Sequence, residues 1–198
     1  MSRSHGTDKP AVRARRRIAR DADGVPALPR VVALRPRRGD AHPLDGPQVR
    51  RLLGRLPLEQ LYGIERVELR ARIGGVGRPF AEYRRDERAV VLFSLPVDEW
   101  WLPRDFDAGP LRLARYQARV HAERSGTLVQ WRSPASLALW FWIEVLAHEI
   151  GHHVRNQYGR RYPRFARLRD EESVADLHSR RAWAALLRGA RDDADDRG

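Results

Sequence analysis

The sequence predicts an α+β fold in which a small mixed or antiparallel sheet packs on a long helix and on a second helix that follows it. Three observations predict this class. Alternating apolar residues in the middle of the chain indicate strands, the last third changes to a helical period, and a length of 198 residues suits one domain with tails. We therefore expect a folded domain over residues 41–188, between a disordered arginine-rich leader over residues 1–40 and a disordered acidic tail over residues 189–198.

Short elements open the predicted domain. Apolar residues recur at helical spacing between Pro47 and Leu56, and they predict a short helix that the following proline ends. Alternation over residues 64–73 predicts a strand with one buried and one charged face. Within the leader, only residues 31–34 are compatible with a strand.

Two hairpins are predicted next. Residues 80–84 and 89–95 flank a polar turn, and the second arm is the most β-prone run in the chain. Alternation over residues 116–122 and a β-prone run over residues 127–131 predict the second hairpin.

The last third of the chain predicts two helices. Ser133 and Pro134 favour a helix start, and the first helix is expected over about residues 135–157. Its first half is apolar nearly all round, as expected for a helix that crosses the core. A second helix is predicted from Glu171 to about Leu187, after a possible N-cap at Asp170.

Composition limits the chemistry. The chain has no cysteine, which excludes disulfides, thiol nucleophiles and cysteine-ligated zinc, so any metal must be bound by His, Asp or Glu. Residues 1–40 hold eleven Arg and Lys against four Asp, so they carry +7 of the net charge of +12 and the remainder carries +5. Nucleic-acid binding through residues 1–40 is an alternative that we do not favour, because basic arms are often only solvated.

No membrane segment is expected. The first twenty residues contain no continuous apolar stretch of the kind that a secretory signal needs. The most apolar run, Ser136 to Ala147, has 12 residues with Glu144 inside it, whereas a membrane span needs about 20. These observations predict a cytoplasmic protein.

The first of the two helices contains His148, Glu149 and His152 in an H-E-x-x-H pattern. Residues four apart lie one turn above each other on a helix, so both imidazoles can reach one metal ion while Glu149 points to a water beside it. Zinc suits such a site, because it accepts imidazole and carboxylate ligands and makes a bound water more acidic. The alternative is a pair of solvated histidines at a helix end.

A third ligand is required, and the second helix offers one. Glu172 and Asp176 stand four apart on one face, and Ala175 and Ser179 beside them form a small surface that lets this helix approach the first closely. We expect Glu172 to bind zinc and Asp176 to accept a hydrogen bond from a zinc-bound histidine. Three residues remain alternatives for the third ligand: Glu171, Asp176 and His178.

The pairing of H-E-I-G-H at 148–152 with E-E-S-V-A-D at 171–176 resembles the gluzincins, the thermolysin-like group of zinc metallopeptidases. In that group, a helix with H-E-x-x-H is followed by a helix with E-x-x-x-D. Here Glu172 lies 20 residues after His152, a separation typical of compact, single-domain members. The likeness covers about residues 135–187, roughly a quarter of the chain.

The resemblance implies a hydrolase that cleaves peptide bonds, with Zn²⁺ as cofactor and a peptide or protein as substrate. It implies His148, His152 and Glu172 as metal ligands, Glu149 as general base and Asp176 as the partner of a bound histidine. Larger relatives add a Tyr or His that stabilises the oxyanion. Three residues are candidates for that role, and spacing fixes none of them: Tyr158, Tyr162 and His121.

Three further predictions concern the surroundings of the motif. His153 points about 100° away from His152 around the helix, so it should not bind metal. A peptide substrate would pair with an exposed sheet edge, for which residues 89–95 are the best candidate. The six tryptophans are expected to form a core more readily than a cleft.

Two other functions compete with a general peptidase. The same site would suit a regulatory metalloprotein that acts on one dedicated partner. A nucleic-acid-binding protein would use the basic leader, with zinc serving only structure.

Overall fold

The computed structural model describes residues 28–73, 79–96, 99–103, 112–158, 172–173, 175–182 and 184. Over these ranges the chain has a mixed α+β fold with small sheets, four α-helices, a π-helix and a further helical segment that begins at Glu172. The predicted acidic tail and most of the predicted leader lie outside the described residues.

The described residues form nine strands. They are β1 (Arg30–Ala33), β2 (Asp40–Ala41), β3 (Arg66–Arg70), β4 (Ala81–Arg84), β5 (Ala89–Phe93), β6 (Leu95–Pro96), β7 (Trp100–Pro103), β8 (Arg119–Glu123) and β9 (Gly126–Gln130). A 3-10 turn (Leu113–Tyr116) precedes β8.

Helices flank and follow the strands. They are α1 (Gly46–Leu53), α2 (Leu58–Leu61), α3 (Pro134–Trp140) and α4 (Ala147–Tyr158), with a π-helix (Phe141–Leu146) between the last two. Residues 172–173, 175–182 and 184 are also helical, and we call them the Glu172 helix.

The main sheet is mixed and has the strand order β1-β3-β5-β4. The first three of these strands run parallel, and β4 runs antiparallel to β5. β1 lies within residues 1–40, so the folded part begins earlier than the boundary at residue 40 that the sequence suggested. The reason is that Val31 and its neighbours pair with β3, which lies more than thirty residues along the chain.

β3 differs from the half-buried strand that its alternation predicts. Val67 and Leu69 are buried as expected, but Glu68 on the opposite face is buried as well. Its carboxylate lies between the guanidinium groups of Arg66 and Arg70, which supply the opposite charge that a buried carboxylate needs. Charged residues on this strand therefore mark an ion-paired face instead of a solvated one.

Both predicted hairpins are present. β4 pairs with β5 and β8 pairs with β9, each in antiparallel register. The prediction that residues 89–95 form a free sheet edge is wrong, because β5 lies between β3 and β4. The edge strands are β1 and β4, and β4 packs against α4.

The helix predicted over residues 135–157 is confirmed as a continuous helical run from Pro134 to Tyr158. The Ser133 hydroxyl accepts a hydrogen bond from the backbone N–H of Ser136 and caps the first turn. The run crosses the core, where Trp140 and Ile150 are almost fully buried.

Aromatic side chains fill the core beside this run. The Trp140 ring lies 5.3 Å from the Trp100 ring and 5.4 Å from the Trp131 ring, measured between centroids. This confirms a tryptophan core for the buried members, whereas Trp101 is 47% exposed. Trp183 lies outside the described residues.

The described helices are all too short or too polar to cross a membrane.

Candidate metal centre

The two motif histidines lie one turn apart on α4. Their Nε2 atoms are 3.1 Å from each other, and the side chains are 21% and 18% exposed. This arrangement follows from the spacing of four residues on an α-helix, as the sequence predicted. Both rings therefore present a nitrogen lone pair to the same point at the protein surface.

Glu172 is the third possible metal donor beside His148 and His152. Its Oε2 lies 3.1 Å from Nε2 of His148, and its Oε1 lies 3.5 Å from Nε2 of His152. All three donor groups fall within 4.8 Å of one another. The Glu172 side chain is 66% exposed, so the group opens towards solvent on the side of the carboxylate.

The separations fit one zinc ion. Zinc bonds to nitrogen and oxygen are about 2.0–2.1 Å long, so the ligand atoms of a tetrahedral site stand about 3.3 Å apart. The measured separations of 3.1 Å and 3.5 Å bracket that value. Three ligands leave the fourth corner of the tetrahedron open, which is the pattern of catalytic zinc sites rather than structural ones.

Asp176 and His178, two of the alternative third ligands, occupy other positions. Asp176 Oδ1 lies 3.7 Å from Nδ1 of His148, on the ring nitrogen that faces away from Glu172. This is longer than a hydrogen bond, but it is the side on which a second carboxylate orients a metal-bound imidazole. His178 is buried and is not part of the group, and Glu171 lies outside the described residues.

Glu149 lies beside the group, half-buried against the edge of the main sheet. Burial, together with the nearby charges of Glu172 and Glu82, raises the pKa of its carboxyl to about 7. The backbone N–H of Tyr83 on β4 donates a hydrogen bond that acts in the opposite direction. A carboxyl with a pKa near neutrality is suited to accept and return a proton. No local spacing indicates the Tyr83 contact, because it joins α4 to a strand far away along the chain.

Close packing of the two helices brings Glu172 to the histidines. A Cβ atom on Gly151 would lie only 2.5 Å from Cα of Ala175 and 3.1 Å from Cβ of His178. Ala175 and Ser179 are completely buried. The close approach that the small residues predicted is therefore confirmed, and it depends on the absence of a side chain at Gly151.

A partly buried network of ion pairs includes Asp176, the residue beside His148. Arg112 donates to Glu144 at 3.0 Å through Nη1 and to Asp176 through Nη2. The Tyr116 hydroxyl donates to the other oxygen of Glu144 at 2.6 Å, and the Glu144 side chain is only 7% exposed. Arg112 thus connects the π-helix to the Glu172 helix, and no spacing rule in the sequence indicates it.

His153 has a structural position, as its angular offset predicted. Its Nε2 donates to the Tyr62 carbonyl at 3.0 Å, and its Nδ1 accepts from the Tyr83 hydroxyl at 3.0 Å. Burial lowers the pKa of this imidazole to about 4, so the ring is neutral at pH 7. The fully buried ring joins α4 to both β4 and the segment after α2.

Of the three candidate oxyanion donors, the structure describes only the side chain of His121. His121 lies on the exposed strand β8 and is not part of the His148 group. Tyr162 lies outside the described residues, as does the side chain of Tyr158.

We compared the chain with protein-family models, with curated proteins and with solved structures, and found no match in any of the three comparisons. The resemblance to gluzincins therefore rests on the two motifs and on the geometry of the His148, His152 and Glu172 group.

Proposed function

We propose that the chain is a zinc-dependent hydrolase of peptide bonds with a minimal zincin-like arrangement. The observation that carries the proposal is the convergence of His148, His152 and Glu172 from two helices, with donor separations that suit one zinc ion. A structural zinc normally has four protein ligands, whereas the described residues offer three and an open side. Glu149, whose carboxyl is close enough to Glu172 for their charges to interact, favours catalysis over a structural role.

Zinc bound to these ligands would polarise the substrate carbonyl and make the attacking water more acidic. Glu149 takes a proton from that water as the water oxygen bonds to the carbonyl carbon. It then returns the proton to the amide nitrogen as the carbon–nitrogen bond breaks, so no other proton donor is needed.

The position of the main sheet supports a peptide as substrate. β4 is an edge strand and packs against α4, with Tyr83 directly at Glu149. Extended peptides bind proteins by adding a strand to such an edge, with main-chain hydrogen bonds between the two. We infer that the substrate lies along β4, which brings its main chain to the carboxylate of Glu149.

Zinc content and cleavage test the proposal together. We expect one zinc per purified chain by elemental analysis, retained in Glu149→Gln and lost in the His148→Ala, His152→Ala pair. Cleavage of a peptide library, followed by mass spectrometry, should stop in Glu149→Gln and continue in Glu123→Gln, a matched control on the exposed strand β8.

A chain that binds no zinc, or a Glu149→Gln variant that cleaves as fast as the native chain, contradicts the proposal. Cleavage of a single protein and no library peptide would identify the dedicated-partner enzyme instead.

A further inference from the structure

A cavity also lies between the two helices that carry the candidate metal ligands. It has a volume of about 320 Å³ and opens between α2, α4 and the Glu172 helix, which places it at the lower end of the range of small-molecule sites. Its floor includes Ala147 and Ile150 of α4, and its walls include Arg55, Gln60, His178 and Arg181.

His178 is the unusual member of this lining. Its side chain is only 4% exposed, and its Nε2 atom is buried without a hydrogen-bond partner among the described residues. A buried polar nitrogen with no partner costs about 1–3 kcal/mol. The residue lines the cavity, but Nε2 itself has almost no accessible surface, so the ring must turn slightly for a ligand inside the cavity to supply the missing partner.

The charges around the cavity select the sign of that ligand. Arg55 and Arg181 both line it, and none of the described lining residues is acidic. Burial and the charge of Arg181 both lower the pKa of His178, to about 4, so the imidazole is neutral and can donate one N–H. Two guanidinium groups and an imidazole N–H suit a carboxylate, whereas the floor of Ala147 and Ile150 suits an apolar body.

The cavity is separate from the metal centre. Ile150 lies about 160° around α4 from both His148 and His152, so it faces the opposite side of the helix. An occupant of the cavity therefore cannot touch the metal or Glu149.

We propose that this cavity binds a small organic carboxylate, with His178 Nε2 and the guanidinium groups of Arg55 and Arg181 on its head group and the apolar floor against its body. The occupant contacts both helices that carry metal ligands. It is a separate ligand of the protein and not the substrate of the metal centre.

Calorimetric titration of the full chain with benzoate tests this site. We expect benzoate to bind and benzamide, its uncharged analogue of similar shape, to bind at least about tenfold more weakly, because charge-assisted hydrogen bonds are lost. The Arg55→Gln, Arg181→Gln pair should weaken benzoate binding by about tenfold or more. Both arginines are exposed, so these substitutions leave the core intact.

The control pair is Arg51→Gln with Arg180→Gln, which are exposed neighbours on the same two segments but do not line the cavity. It should leave the benzoate affinity unchanged. In nitrogen-edited spectra, benzoate should shift the Nε2 resonance of His178, assigned with a His178→Gln variant.

Titrations are run on chelator-treated protein as well as on zinc-loaded protein. The test of benzoate binding therefore does not depend on whether the peptidase proposal is correct. Absence of binding at millimolar benzoate overturns the inference. Equal binding of benzamide, or equal weakening in the control pair, also overturns it, because either result shows that the cavity arginines do not select the ligand.

Discussion

Gly151→Ala is the substitution for which the structure gives the sharpest expectation. The new Cβ atom would lie 2.5 Å from Cα of Ala175, whereas carbon atoms in contact stand about 3.5–4.0 Å apart. The clash is with backbone, so no side-chain rotation relieves it. The Glu172 helix must therefore move away from α4 by about 1 Å.

That movement affects the metal site more than the fold. Zinc–ligand distances vary by only about 0.2 Å between good sites, so a shift of about 1 Å removes Glu172 from a shared ion. We expect zinc affinity to fall by at least about tenfold. Overpacking costs about 1–3 kcal/mol, and the better helix propensity of alanine returns about 1 kcal/mol, so the net loss of stability is about 0–2 kcal/mol.

Zinc affinity is measured by competition with a chromophoric chelator, and the free energy of unfolding by urea titration of the chelator-treated chain. Gly46→Ala is the matched control, because its Cβ would meet only Cγ1 of Val31 at an ordinary 3.7 Å. Native zinc affinity in Gly151→Ala would refute the view that close packing of the two helices delivers Glu172.

Two further predictions concern buried charge. Arg112→Gln removes the main cation facing buried Glu144, so urea titration should show that the free energy of unfolding falls by about 1–3 kcal/mol. Arg115→Gln should lower it less, because the Arg115 guanidinium is 3.9 Å from Glu144 and half-exposed. Equal losses in the two variants would contradict this role for Arg112. Acidification should also destabilise the chelator-treated Glu149→Gln chain, because burial holds the pKa of His153 and of His178 at about 4. As the pH falls, the unfolded chain takes up these protons before the folded chain does. The contribution of each neutral ring to the free energy of unfolding is therefore fully present above pH 6.5, and about 3 kcal/mol for each ring is lost towards pH 4. The native chain should lose less, since the raised pKa of Glu149 acts with the opposite sign, and a stability that stays flat over this window in Glu149→Gln would contradict the assignment.

The parts of the molecule that the sequence predicted are those set by local spacing. The long helix follows from its apolar period, the facing histidines follow from a separation of four residues, and the close helix contact follows from Ala175 and Ser179. Each of these depends on residues within one or two helical turns.

The parts that were missed depend on pairing between distant segments. β1 pairs with β3, and β4 covers the strand that looked most like an edge. Arg112 reaches residues 32 and 64 positions away in the chain. Which arginine meets which carboxylate is decided by the tertiary fold, and a chain rich in arginine offers many pairings of equal local plausibility.

The π-helix of Phe141–Leu146 has a consequence for tolerance to insertion and deletion. It separates the tryptophan buried in the core at position 140 from His148, the first histidine of the candidate metal group. Loss or gain of one residue there would rotate the histidine pair by about 100° relative to that anchor. The number of residues in this stretch, more than their identity, therefore determines whether the imidazoles face Glu172.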